Sequence, residues 1–237
     1  MRVRLPTPHA GWQAFATEVV IVVLGVLIAL GLQQLVNNLS DRAAALRARS
    51  DIRDEIGHNL GRLQQRQQTQ RCIDRRLDQI GLHLDRLSKS DVQPAPQWIG
   101  RPIYAGLIDD RWQVASQSGH ASLLSPEEQR VFTTINDIAR AIEPAQEEEQ
   151  RLWAQLRALE GADQLTDEAI FSMRSVLSQA RYANWRIKLG ITQMFDRTRP
   201  VGIKPIFSTR GSRSICIPMN TPRAIALTKT ETPYGEP

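Results

Sequence analysis

The side chains best able to do chemistry in this sequence are few and scattered. It has four histidines, His9, His58, His83 and His120, and none pairs with another histidine or a cysteine at the His-x-x-x-His spacing that puts two ligands on one helix face. Cys72 and Cys216 are its two cysteines, too few and too far apart for a zinc site. The densest polar cluster is Asp109-Asp110 beside Arg111 and Trp112, followed by Ser116, Ser118 and His120. Paired carboxylates can move a proton to or from a substrate, so Asp109, Asp110 and His120 are the candidates an enzyme would use; the competing reading is a solvated helix face. Glu147-Glu148-Glu149 reads as a solvated turn, with metal binding as its alternative. Arg71, Arg75 and Arg76 would suit a phosphate backbone. Asp74 and Asp78 are interleaved with them at intrahelical ion-pair spacing, which favours an ordinary surface and no nucleic acid. No Gly-rich phosphate loop, nucleophile elbow or dinucleotide fingerprint occurs. The sequence therefore assigns no catalytic, cofactor-binding or metal-ligating residue, and no cofactor is expected.

The elements that would carry these residues begin with a membrane segment. From Val19 to Leu32 the chain runs VVIVVLGVLIALGL without a charge, and residues 14–36 contain Glu18 as the single ionisable group. A helix of that length covers a ~30 Å hydrocarbon layer at ~1.5 Å per residue. Each Val, Ile or Leu near the bilayer centre contributes roughly −0.3 to −0.6 kcal/mol, and Glu18 lies close enough to one end for its carboxylate to reach the headgroups. The rivals are a signal peptide cleaved near Ala29–Gly31 and a buried core helix. The run is apolar on every face, which a core helix would need a large surrounding domain to bury. Gly25 and Ala29 form a small-xxx-small pair suited to packing two such helices. Arg2 and Arg4 precede the span while Arg42, Arg47, Arg49 and Arg53 come after it, a count that leans towards an external N-terminus. Long domains translocate largely regardless of charge, and two cysteines suit an oxidising compartment, which favours the domain outside.

Beyond the span, residues 37–199 read as helices. A stretch opening at Ser40 or Ser50 reaches about Ser88, with Ile52, Ile56, Leu60 and Leu63, then Ile73, Leu77, Ile80, Leu84 and Leu87 on one stripe. Between the halves, Gln64 to Arg71 is polar on every face, either a solvent-exposed turn or a break in packing. Pro94, Pro96, Gly100 and Pro102 make a loop. A short helix is expected from Ile103 to Ser118. Ser125-Pro126-Glu127-Glu128 then supplies a capping serine, a proline at the first helical position and a glutamate three residues on. That helix carries Val131, Ile135, Ile138 and Ile142; Pro144 should kink or end it, and Leu152, Leu156 and Leu159 resume the pattern up to Gly161. Thr166 opens the last long helix, with Ile170, Met173, Leu177, Ala180, Ile187, Ile191 and Met194 on its stripe and a stop at Arg199-Pro200. Trp112, Trp153 and Trp185 fall where helices should pack. The fold class is all-α: a transmembrane helix, then an antiparallel bundle with an irregular C-terminal tail.

The tail, residues 200–237, is rich in Gly, Pro and Ser, with Ile206-Phe207 and Ile215–Ile217 as short strands or extended segments along the bundle and an end expected to be disordered. The net charge of +5 is concentrated from Arg197 onwards, where seven basic residues face two glutamates. A basic tail can touch anionic lipid or nucleic acid, or be merely solvated. Cys216 is expected against the first helix near Cys72, forming a disulfide that adds about 4–5 kcal/mol in the chain-entropy treatment; the alternative is two thiols in a reducing compartment.

The N-terminal third, with an acidic residue ahead of Leu24-Gly25-Val26-Leu27-Ile28-Ala29-Leu30 and a long charged helix directly after, resembles a group of uncharacterised bacterial single-pass membrane proteins. The stretch from Arg111-Trp112 through Ser118-Gly119 to Leu123-Leu124-Ser125-Pro126-Glu127-Glu128 is similar to their second half. Gln33, Asn37 and Asn38 stand where members often carry a tryptophan. The resemblance implies an anchored helical domain and brings no activity or site residues with it. The expected function is an interaction or structural role in the bacterial envelope, at the inner membrane with the domain periplasmic. Its partners would be the lipid bilayer and a second copy or another envelope protein. The alternatives are ligand sensing through a partner and, further off, an enzyme.

Overall fold

The computed structural model describes residues 12–89, 94–207 and 214–231. His9, Arg2, Arg4, Arg210, Arg213 and the expected disordered end at 232–237 lie outside the described residues. The chain is all-α, with no strands among the described residues.

Helix α1 runs unbroken from Trp12 to Gln68, about 85 Å at ~1.5 Å per residue. Its first part is the apolar span, with a mean hydropathy of 2.6 and none of it buried; every described side chain from Phe15 to Arg42 is exposed. No proline interrupts α1 beyond the span, so the helix continues directly into the domain. There Ile52, Ile56, Leu60 and Leu63 turn inward. At Thr69 the ladder changes register. Its N–H donates to the Arg66 carbonyl at 3.2 Å and its hydroxyl to the same oxygen at 2.9 Å, after which α2 (Gln70–Leu87) proceeds.

Helix α4 (Pro126–Leu156) starts at the expected capping box: Ser125 Oγ accepts from Glu128 N at 3.3 Å, and Glu128 Oε2 accepts from Ser125 N at 3.3 Å. It does not end at Pro144. Pro144 and Arg140 are both exposed, so the carbonyl that the proline cannot serve is left to water, while Ile142, Ala145 and Leu152 hold the inner face. Helix α5 (Asp167–Thr198) is capped by Thr166 Oγ1, which accepts from Ala169 N at 3.2 Å. Of the other elements, α3 is shorter than expected, Asp110–Gln117. Residues 94–109 form an extended strap instead. In the tail, Ser214–Cys216 is a single 3-10 turn and Arg223–Glu231 is a helix, α6, where strands or an extended chain were expected.

The bundle is α1–α2, α4 and α5, with α5 antiparallel to the other two. One apolar cluster joins Ile52, Ile56, Leu60 and Leu63 to Phe132, Ile135, Ile187 and Met194. A second joins Ile73, Leu77, Ile80 and Leu84 to Leu152, Trp153, Leu177 and Ala180. The strap descends along the bundle without strand partners. Its upper end is bonded to backbone, Gln97 N and Trp98 N donating to the Met219 carbonyl at 2.9 and 3.0 Å, and farther down its backbone is bonded by helix side chains, as buried peptide groups require. Asn59 Nδ2 donates to the Ile108 carbonyl at 2.6 Å and its Oδ1 accepts from Ile108 N at 3.0 Å. Gln146 does the same for Ala105 at 3.2 and 2.8 Å; Arg62 donates to Gly106 O. The tail returns over α1, where Ile206 N donates to the Gly57 carbonyl at 2.8 Å. Gly61 lies under the Ile206 carbonyl so closely that a Cβ there would overlap it.

Candidate functional site

Between the two apolar clusters each long helix contributes a polar residue at one level. Arg66 Nη2 donates to Glu149 Oε1 at 2.7 Å and to Asn184 Oδ1 at 3.2 Å, and Arg66 Nη1 to Gln70 Oε1 at 3.1 Å. Both the arginine and the glutamate side chains are 0% exposed. Burial pushes the Glu149 pKa up and the Arg66 pKa down, and their mutual attraction opposes both shifts. Asn184 Nδ2 donates to Asp74 Oδ1 at 2.8 Å, and Lys188 pairs with Asp74 Oδ2 at 3.3 Å, so the layer runs outward to solvent. Two expectations are corrected here. The Gln64–Arg71 segment breaks the helix but is not a solvent-exposed turn, because Arg66 and Thr69 are buried. Glu149 is a buried partner inside α4 and no part of a solvated turn.

Higher up, Arg76 is also buried. Its Nη1 donates to the Trp98 carbonyl at 2.8 Å and to that of Ile99, and its Nη2 to the carbonyls of Ile215, at 3.4 Å, and Ile217. One guanidinium thus ties the strap to the tail. Burial lowers its pKa to about 10, partly offset by Glu160, which leaves it charged at neutral pH. This replaces the surface reading of Arg76. Asp74 and Asp78 likewise pair across to α5, with Lys188 and Arg181, rather than along their own helix. Cys72 and Cys216 meet beside the clamp, sulfurs 2.09 Å apart at bonding distance. Trp98 Nε1 donates to the Ser214 carbonyl at 2.8 Å. Gly100, at φ +71°, has that carbonyl 2.8 Å from where a Cβ would stand, so only glycine fits.

The strap, the end of α4 and the tail enclose a cleft of about 640 Å³, whose lining includes Arg101, Tyr104, Gln150, Arg157, Ser214 and Arg223. Glu160 is tucked against its arginines, its side chain 6% exposed. Glu160 Oε1 accepts from Ile99 N at 2.9 Å and Arg157 Nε at 3.3 Å, and Oε2 from Arg223 Nη1 at 3.2 Å. Tyr104 donates its hydroxyl to Glu143 Oε1, which pushes the phenol pKa up to about 12.

The enzyme candidates do not converge. Asp109 accepts from Arg140 Nε at 2.8 Å on the surface, Asp110 sits exposed in the first turn of α3, and His120 Nδ1 lies 3.0 Å from Ser118 Oγ in solvent. Among the described residues no group of three or more His, Cys, Asp or Glu is placed to hold a metal. Of the tryptophans, Trp153 is fully buried and Trp112 packs edge-on to Phe132 at 6.2 Å. Trp185 is exposed, contrary to expectation, and stacks on Tyr182 at 5.7 Å beside exposed Leu189. In the single chain nothing lies within 4 Å of a Cβ placed on Gly25. Comparison with protein-family models, curated proteins and solved structures finds no match to this chain.

Proposed function

We propose that the chain is a membrane-anchored helical interaction protein of the bacterial envelope, its bundle held on the outer side of the inner membrane. The observation that carries this is α1: an apolar span with no partner in the fold, leading without a break into the first bundle helix. Leaving that many Val, Ile and Leu side chains in water opposes the hydrophobic effect, and a bilayer removes the penalty. The Cys72–Cys216 pair at bonding distance fits an oxidising compartment, which supports the outward orientation. The exposed Tyr182–Trp185 stack is of the residue types that anchor protein contacts, exposed Leu189 extends its apolar surface, and Gly25 with Ala29 offers a second copy a close approach within the membrane.

A reporter active only outside the cytoplasm, fused after Pro237, tests the orientation together with resistance of the chain to alkaline extraction from membranes. Activity and retention are expected; release into the soluble fraction sinks the anchor, and an inactive reporter on a retained chain sinks the orientation. For the interaction role, a photo-crosslinker at Trp185 in native membranes should trap a partner or a second copy. Recovery of monomer alone overturns it. A ligand-sensing role working through a partner is the second reading, favoured by the cleft above α4.

A further inference from the structure

We propose that the cleft between the strap, the end of α4 and α6 binds a compact soluble anion bearing carboxylate or phosphate groups. Its charge is the first argument. Arg101, Arg157 and Arg223 line it, and among the described residues no Asp or Glu does. Glu160, the nearest carboxylate engaged with the arginines, faces two of them and the Ile99 N–H at once. One carboxylate against three guanidinium groups leaves two positive charges uncompensated in a concavity. The Arg101 side chain engages in no hydrogen bond or ion pair among the described residues. Concave walls concentrate the field of such charges and draw in counter-ions, and a planar guanidinium fork matches a carboxylate or phosphate edge.

The second argument is construction. The cleft's walls come from three separated stretches of chain, held together by the same features that tie the strap and the tail to the bundle. These are the buried Arg76 clamp on four carbonyls, the Trp98–Ser214 hydrogen bond, the glycine at position 100 and the Cys72–Cys216 pair. An arbitrary surface group of arginines needs no such framework. The volume of about 640 Å³ lies in the range of small-molecule sites. Tyr104 also lines the cleft, its hydroxyl turned to Glu143 outside the lining.

The third argument selects the source. About 48 Å of α1 separates Val36 from Gln68 at ~1.5 Å per residue, and Arg76 is farther still. Headgroups of the membrane that holds α1 are therefore out of reach, which points to a soluble anion. This clause alone rests on the anchoring proposal.

Full-length protein in neutral detergent, titrated calorimetrically with citrate, pyrophosphate and glucose, tests the site without reference to topology. Saturable binding of citrate or pyrophosphate, and none of glucose, is expected. Arg101→Ala, whose melting curve should match the wild type because its side chain holds nothing in place, should weaken binding by about tenfold, ~1.4 kcal/mol. Arg197→Ala, on the far end of α5, should leave it unchanged. Absence of saturable binding by both anions overturns the proposal, as does wild-type affinity in Arg101→Ala. Binding to phosphatidylglycerol vesicles with neither soluble anion bound overturns the choice of a soluble ligand.

Discussion

The Arg66 guanidinium and the Glu149 carboxylate meet at 2.7 Å with neither side chain reaching solvent. They join α1 to α4 at the level where both apolar clusters stop. Two charges withdrawn from water cost several kcal/mol each, so the pair holds the helices in register more than it adds net stability. Glu149 Oε2 and Arg66 Nε, moreover, have no hydrogen-bond partner in the structure.

Removing one charge should therefore be far worse than removing both. Glu149→Ala is expected to lose about 3–5 kcal/mol of unfolding free energy, whereas Arg66→Met combined with Glu149→Leu should be neutral or stabilising by ~1–4 kcal/mol. Urea denaturation of the three proteins reads this directly. Equal losses in the single and double variants would show that the pair does not behave as a coupled unit.

The Cys72–Cys216 link closes a loop of 144 positions. Cys72→Ser with Cys216→Ser should lower stability by about 2–5 kcal/mol, most of the effect lying in the freer unfolded chain. The same drop should appear when the wild type is reduced, and reduction should change nothing in the double variant. Two freely alkylated thiols in protein taken from native membranes would remove both the link and one support for the outward orientation.

Gly61 leaves no room for a side chain beneath the Ile206 carbonyl. Gly61→Ala should lift the tail from α1 and cost about 1–3 kcal/mol, the usual range for overpacking. Gly25→Ala, with nothing near its Cβ in the single chain, should leave bundle stability untouched. Thermal melts compare the two, and limited proteolysis should cut Gly61→Ala first within the tail.

His83 is buried on α2, its Nε2 without a partner. Burial lowers its pKa below the ordinary 6.5, and the nearby positive charge of Arg86 lowers it further. As the pH falls through 6.5 the unfolded chain takes up a proton that the folded chain refuses. Its contribution to stability is therefore lost on acidification, down to the depressed folded pKa. The wild type should lose stability as the pH falls through about 6.5, the ordinary imidazole value, relative to His83→Leu, which has nothing there to titrate. Parallel pH dependence in the two proteins would rule His83 out as the cause.

The stripes were legible because packing needs apolar residues at spacings of three and four, and the Ser125 and Thr166 caps because their chemistry is local. The polar layer was hidden by residue type: arginine and glutamate are seldom fully buried. Yet position could have found it. Arg66 falls between Leu63 and Ile73, Glu149 between Ala145 and Leu152, and Asn184 between Ala180 and Ile187, each in step with the buried face of its helix. Arg76 is likewise in step with Ile73 and Ile80. The strap was unreadable for another reason. Its partners include Asn59, Arg62, Arg76 and Gln146, polar side chains on helices, whose reach to a distant backbone leaves no periodic mark. The cleft arises from that strap and from a tail brought across the fold, and no single segment carries its outline.

Because α1 turns from apolar span to bundle element with no hinge, the azimuth of the bundle about the helix axis is locked to that of the span. One residue inserted between Asn37 and Arg49 would swing the cleft and the Tyr182–Trp185 stack by about 100° and raise them by ~1.5 Å, and seven would nearly restore their original bearing. Whatever those surfaces meet, they meet at a compass heading written into the phase of one helix.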